Sequence, residues 1–276
     1  MKIREKFQEF YRFLTSPKVV KLSLNGALIT FIGGIIVAVL IAQLDRAGDI
    51  EGGIPVLSPD PAGYNPLINY ISDLGNEDLT PMPIILNWTL MNTSLLMISP
   101  SLYFWNILKG DGSKLIRKIL AYITAVCMFI GMIGFFLNGV LSEDVGLVWD
   151  TIFPIGIEWH ELTTTVNFGF LMASGILVAS QIIIFPDILR EKFRLEKSKI
   201  RLVRIFNVIN SWIFTPVCFI FFNTVPYLWY TDAFWTFLPV WQWAPMWEWL
   251  LMISLTAWLI SMSRLILKDL KHEMLK

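Results

Sequence analysis

The chain has 276 residues, 55% hydrophobic and 16% charged, with a formal net charge of zero. A soluble domain would carry roughly a quarter charged residues, whereas mean hydropathy here is +0.60. This composition excludes an ordinary soluble globular domain, and no nucleic-acid partner is expected.

The apolar residues gather into six blocks, each of about 20 residues or more, the length that crosses ~30 Å of hydrocarbon. In chain order they are Leu22–Leu44, Pro83–Leu108, Ile119–Leu141, Glu161–Phe185, Ile205–Pro226 and Met246–Leu267. The expected fold is an all-α membrane protein, a six-transmembrane-helix bundle. Its parts are an amphipathic arm over 1–21, a membrane domain over 22–267 and a tail over 268–276. Of the 22 Lys and Arg residues, 21 fall in the arm, the second and fourth loops and the C-terminal end from Arg264 on; Arg46 alone falls in loops 45–82, 142–160 and 227–245. The positive-inside rule then makes both termini cytoplasmic and those three loops external.

The arm "MKIREKFQEFYRFLTSPK" sets Ile3, Phe7, Phe10 and Leu14 on one helical face among Lys and Arg. Such a helix suits the inner membrane interface. The first block is too long for a signal-peptide core and lacks a small-x-small cleavage site after it, so it is expected to remain as a span. Pro81 and Pro83 suit the first turn of the second helix, and Pro100 and Pro216 are expected to kink the second and fifth. Gly131, Gly134 and Gly139 in the third block, and the pairs Gly169/Ala173 and Gly175/Ala179 in the fourth, suit close helix approach. Cys127 and Cys218 read as apolar packing residues.

Polar residues inside spans should face one another or water. Those toward the outer side are Asn87, Asn138, Thr163, Thr164, Asn167, Asn223, Thr224 and Glu248. His160, Thr163, Thr164 and Asn167 recur at i, i+3, i+4 and i+7, a single polar stripe on the fourth helix. Nine of the twelve Trp residues lie toward the outside, six of them in Trp229–Trp249. This pattern reads as an interfacial belt, or as a lid or lipid platform that includes Trp243 and Trp247.

The loop segment "YISDLG" breaks the apolar pattern. Ser72 and Asp73 suit a cap or turn, and Gly75 suits a positive φ. An Asp73–His160 pair would also suit acid–base chemistry, with Ser72 as a nucleophile. A metal held by Asp73, His160 and another carboxylate is a weaker alternative, because HExxH and further histidines are missing.

"YISDLG", then a Pro-led helix with "LNWTLMNTSLLM", then "GVLSEDVG" and "WHELTTTVNFGFLMASGIL" occur in that order. The series resembles an uncharacterised prokaryotic membrane family, domain of unknown function nine-nine-eight. It is similar, more distantly, to DRAM-like and GPI-anchor lipid-remodelling membrane proteins. The resemblance covers Leu22 to Phe185 well and the last two helices by topology alone. It marks Ser72, Asp73, Gly75 and His160 as family-like and implies lipid handling by analogy.

The expected function is therefore a multi-pass cell-membrane protein whose outward-facing polar pocket binds or organises membrane lipid. Its candidate ligand-binding residues are Asn87, Asn138, Thr164, Asn167, Asn223, Glu248, Trp243 and Trp247. The alternatives are a lipid hydrolase or transferase using Asp73 and His160, a transporter, and an accessory subunit of a membrane complex. No cofactor is expected; a second copy of the chain or another membrane protein are the possible protein partners.

Overall fold

The computed structural model describes residues 2–44, 64, 69–77, 80–110, 114–142, 145, 151, 158–229 and 244–274. Helix dominates, and no strand occurs among the described residues. Helix α1 (Lys2–Leu14) leads into α2 (Pro17–Leu44), with Pro17 at the first helical position, where its missing N–H goes unnoticed. Helices α3 (Ile84–Leu96), α4 (Ile98–Lys109), α5 (Leu115–Val140) and α6 (Trp159–Ile184) follow. The fifth apolar block is α7 (Lys197–Asn207), a π-helical stretch Val208–Phe214 and α8 (Thr215–Trp229); α9 (Ala244–Glu273) closes the chain.

Among the described residues, five helices are long and apolar enough to cross a membrane: Pro17–Gln43, Leu115–Val140, Trp159–Ile184, Lys197–Thr224 and Pro245–Glu273. The expected second span, Pro83–Leu108, differs, because it is divided at Met97 into α3 and α4. Pro100 explains the break. It has no N–H to offer the Leu96 carbonyl and its ring crowds that carbonyl, so regular helix cannot pass. Pro216 acts on the fifth block in a similar way. Just before it the helix widens into π turns, and Thr215 Oγ1 donates to the Asn210 carbonyl (2.7 Å).

Two apolar cores stack along the bundle. One lies near a 3-10 turn at Ser72–Gly75 and includes Phe31, Ile71, Leu74, Phe135, Phe168 and Leu251. The other lies at the opposite end, with Val20, Phe104, Ile182, Phe193 and Leu270. The start of α2 (Val20) and the last turns of α9 (Leu270) both pack at this second end. There Arg117, though buried, is fully engaged: it donates to the Ile107 and Leu108 carbonyls at the end of α4 and pairs with Asp187. On the outside of the bundle, Ile29, Ile36, Ile123, Ile133, Ile213 and Ile220 are exposed. Outward-facing apolar surface on the helices is what a lipid solvent requires.

Helix α1 is tied down on one side only. Tyr11 donates to Asn106 Oδ1 (2.7 Å), and Ser99 Oγ donates to the Leu14 carbonyl (2.6 Å). Ile3, Phe7 and Phe10 remain 88%, 68% and 58% exposed, an uncovered apolar face flanked by Lys and Arg.

The most extensive helix–helix contact joins α5 to α6, which run antiparallel. A Cβ added at Gly134 would lie 2.9 Å from the Asn167 backbone nitrogen and 3.0 Å from its Cα. One at Gly131 would lie 3.1 Å from the Leu171 nitrogen. Backbone cannot swing aside as a side chain does, so these glycines set the helix separation. Gly134→Ala should therefore destabilise the bundle by about 1–3 kcal/mol, as overpacking does. Gly33→Ala, with nothing within 4 Å of the new Cβ, should be neutral or slightly stabilising. Thermal unfolding of both variants in detergent checks the contrast.

Candidate functional site

Beneath the Ser72–Gly75 turn lies a cavity with about 30 Å³ open to water-sized molecules. Its walls come from four places: the turn (Ile71, Ser72), α3 (Asn87), the facing ends of α5 and α6 (Asn138, Ser142, His160, Thr164, Asn167), and α9 (Glu248). Phe135, Phe168, Leu86, Leu90 and Met252 complete it with apolar surface.

The turn is built locally and pinned remotely. Leu74 N–H bonds to the Ile71 carbonyl (3.1 Å) and Asn76 N–H to the Asp73 carbonyl (3.2 Å). Asp73 Oδ2 reaches back to the Tyr70 N–H (2.8 Å), much as an acidic residue does in a capping box. Three remote bonds fix the turn against the bundle. Glu248 accepts the Ile71 N–H (2.7 Å), Asn87 Nδ2 donates to the Gly75 carbonyl (3.1 Å), and Trp249 Nε1 donates to the Asn69 carbonyl (3.2 Å). Tyr64 props the turn from the side, with its ring edge-on to Trp249 at 6.2 Å and its hydroxyl donating to the Tyr70 carbonyl (2.7 Å). Burial, and then the charges of Asp73 and Glu248, raise the Tyr64 pKa above its ordinary value.

Gly75 corrects the sequence expectation. The only positive-φ glycine among the described residues is Gly110. Gly75 is needed for space, because a Cβ there would lie 2.5 Å from Asn87 Oδ1 and block the bond that anchors the turn.

Seen from α6, the expected polar stripe does converge on this cavity. Thr163 and Thr164 both donate to Asn138 Oδ1. His160 Nδ1 lies 2.8 Å from the Leu141 carbonyl, one of the carbonyls that a helix end leaves without an intrahelical partner. A carbonyl only accepts, so Nδ1 carries a proton and, in the neutral ring, Nε2 is the acceptor. Asn167 is 1% exposed, and neither its Nδ2 nor its Oδ1 has a partner. Leaving such a group unpaired costs about 1–3 kcal/mol, so this amide is poised for something that enters the cavity.

Of the sequence candidates, Ser72, Asn87, Asn138, His160, Thr164, Asn167 and Glu248 share the cavity wall. Asp73 does not line it, and the hydrogen bonds of Asp73 and His160 described above run to different partners. Asn223 lies elsewhere, donating to the Phe219 carbonyl (2.8 Å) one turn back. Trp247 stacks on Phe221 with ring centres 4.6 Å apart, and Trp243 lies outside the described residues. Sequence reasoning passed over Ser142 and the prop role of Tyr64. Among the described residues no three His, Cys, Asp or Glu side chains converge to hold a metal.

Replacing Glu248 by Leu should leave the Ile71 N–H buried without an acceptor, at a cost of about 1–3 kcal/mol. Hydrogen exchange across residues 69–76 should accelerate, while Glu248→Gln, which keeps an acceptor oxygen, should change it less.

No curated protein and no solved structure matches the chain. A family model described as "Protein of unknown function (DUF998)" matches residues 54–265. The match begins after the first apolar block and continues through the last two, further along the chain than the sequence resemblance reached. It takes in the turn, the cavity walls and most of α9, and the chain belongs to this family of uncharacterised membrane-helical proteins.

Proposed function

We propose that this protein binds membrane lipid at the cavity beneath the Ser72–Gly75 turn. In this reading α3 and α4 are the two halves of a sixth span, and the protein is a multi-pass protein of the cell membrane. Both termini are cytoplasmic, as the distribution of Lys and Arg favours, and the cavity opens toward the outer face.

The observation that carries the reading is Asn167, an amide buried among apolar helices with both polar atoms unpaired at a cavity wall. Nearly all buried polar groups in native proteins are hydrogen-bonded, so a partner from outside the chain is the natural complement. The cavity's ~30 Å³ exceeds the ~10–15 Å³ needed by one water. It admits a single small polar group, such as the tip of a headgroup, while the remainder of the lipid stays in the bilayer. Full entry of a headgroup would require the turn to lift.

A second reading, lipid hydrolysis or transfer, is favoured by one observation. Ser72 and His160 line the same cavity, and the bond from Nδ1 to the Leu141 carbonyl leaves Nε2 as the basic nitrogen. In that case Ser72 and His160, rather than Asp73, are the groups that meet the substrate.

Native mass spectrometry of the chain released from nanodiscs tests the proposal. Wild-type protein should retain lipid through delipidating detergent washes, and Asn167→Leu should lose roughly tenfold in retention, the effect of about one good hydrogen bond. Equal retention by both proteins would show that bound lipid is annular. Release of fatty acid or exchange of a headgroup, abolished by His160→Gln, would support the enzymatic reading instead.

A further inference from the structure

The chemistry lining the cavity restricts which headgroup it accepts. Asn167 presents an unpaired acceptor, Oδ1, and an unpaired donor, Nδ2, side by side. A phosphodiester, or a phosphomonoester in its dianionic form, offers only acceptors, so it would leave Oδ1 unsatisfied. An ammonium offers only donors and leaves Nδ2 unsatisfied. A hydroxyl both donates and accepts, and so answers both atoms. The neighbours agree with this choice: His160 Nε2 is an acceptor in the neutral ring, and the Ser72 and Ser142 hydroxyls adapt to either role.

We infer that the cavity receives a hydroxyl group, carried on the neutral glycerol or sugar headgroup of a membrane lipid. The inference rests on the lipid-binding reading and narrows it to one headgroup class. The hydroxyl occupies the space beside Asn167, accepts from Nδ2 and donates to Oδ1. Glu248 orders the roof by holding the Ile71 N–H.

The test uses the full chain in phosphatidylcholine nanodiscs doped with one of four lipids of matched acyl chains. These are diacylglycerol, monoglucosyldiacylglycerol, phosphatidic acid and phosphatidylethanolamine, with retention read by native mass spectrometry. The expected result is about tenfold greater retention of the first two, a preference removed by Asn167→Leu. Ser72→Ala, which lies off the α5–α6 contact, should weaken the preference even if Asn167→Leu folds poorly. If phosphatidic acid or phosphatidylethanolamine is retained best and lost in Asn167→Leu, lipid binding stands and the hydroxyl assignment falls. If no dopant is retained above the host lipid, the hydroxyl assignment falls, and lipid binding falls with it when Asn167→Leu retains the host as well as wild type does. Displacement of the glycolipid by free glucose or glycerol at equal concentration would move the site to soluble polyols and overturn the lipid source.

Discussion

Helices α5 and α6 meet backbone to backbone at Gly131 and Gly134, and that contact decides where the nearby polar groups go. In hydrocarbon a polar side chain has no water to turn to, so it must find a partner across a helix interface. Close approach supplies the partners. Asn138 on α5 takes both Thr163 and Thr164 of α6 at one end of the seam, and Gln181 donates to Thr124 (2.8 Å) at the other. His160, Asn167, Ser174 and Gln181 recur every seven residues along α6, and the last three are at most 1% exposed. That spacing suits one face of a helix packed along a neighbour. Gln181 keeps one amide atom, Oε1, without a partner, and Asn167 keeps both: Gly134 brings its backbone against α5, yet its amide is left with nothing to bond.

The turn completes the enclosure and links distant parts of the chain. Ile71 and Glu248 are 177 positions apart, and Asn69 and Trp249 are 180 apart. The roof over the cavity therefore depends on the last helix being in place, and a chain ending before α9 would lack it. Asn87 holds the other edge from α3, only 12 positions from Gly75. The cavity is thus a product of tertiary assembly, walled by α5 and α6 and roofed through α3 and α9.

What could be read from the sequence follows from how conspicuous polar residues are in apolar blocks. The stripe from His160 to Asn167 was legible because helical periodicity puts it on one face, and hydrocarbon leaves that face nowhere to go but inward. Asn223 looks equivalent in sequence, yet it does not line the cavity: its Nδ2 donates to the Phe219 carbonyl of its own helix and its Oδ1 accepts from Thr165, which is not on the stripe. Pro100 announced a disturbance, while the position of the break at Met97 depended on which carbonyl the ring obstructs. Gly75 signalled a turn correctly, but its reason is the nearby Asn87 amide, visible only once α3 is packed. The hydrogen bonds of the two residues in the expected Asp73–His160 pair run to backbone: the carboxylate accepts the Tyr70 N–H, and the imidazole Nδ1 meets the Leu141 carbonyl that closes α5.

The central claim is that the buried Asn167 amide awaits a group from outside the chain. The most direct measurement is an experimental structure in a native-like lipid bilayer, with the density under the Ser72–Gly75 turn inspected. The account predicts non-protein density within hydrogen-bonding distance of both Asn167 Nδ2 and Oδ1, continuous with a lipid in the surrounding bilayer. An Asn167 amide satisfied by another side chain of the protein, or by isolated water beneath a closed turn with no lipid connected to it, would contradict it.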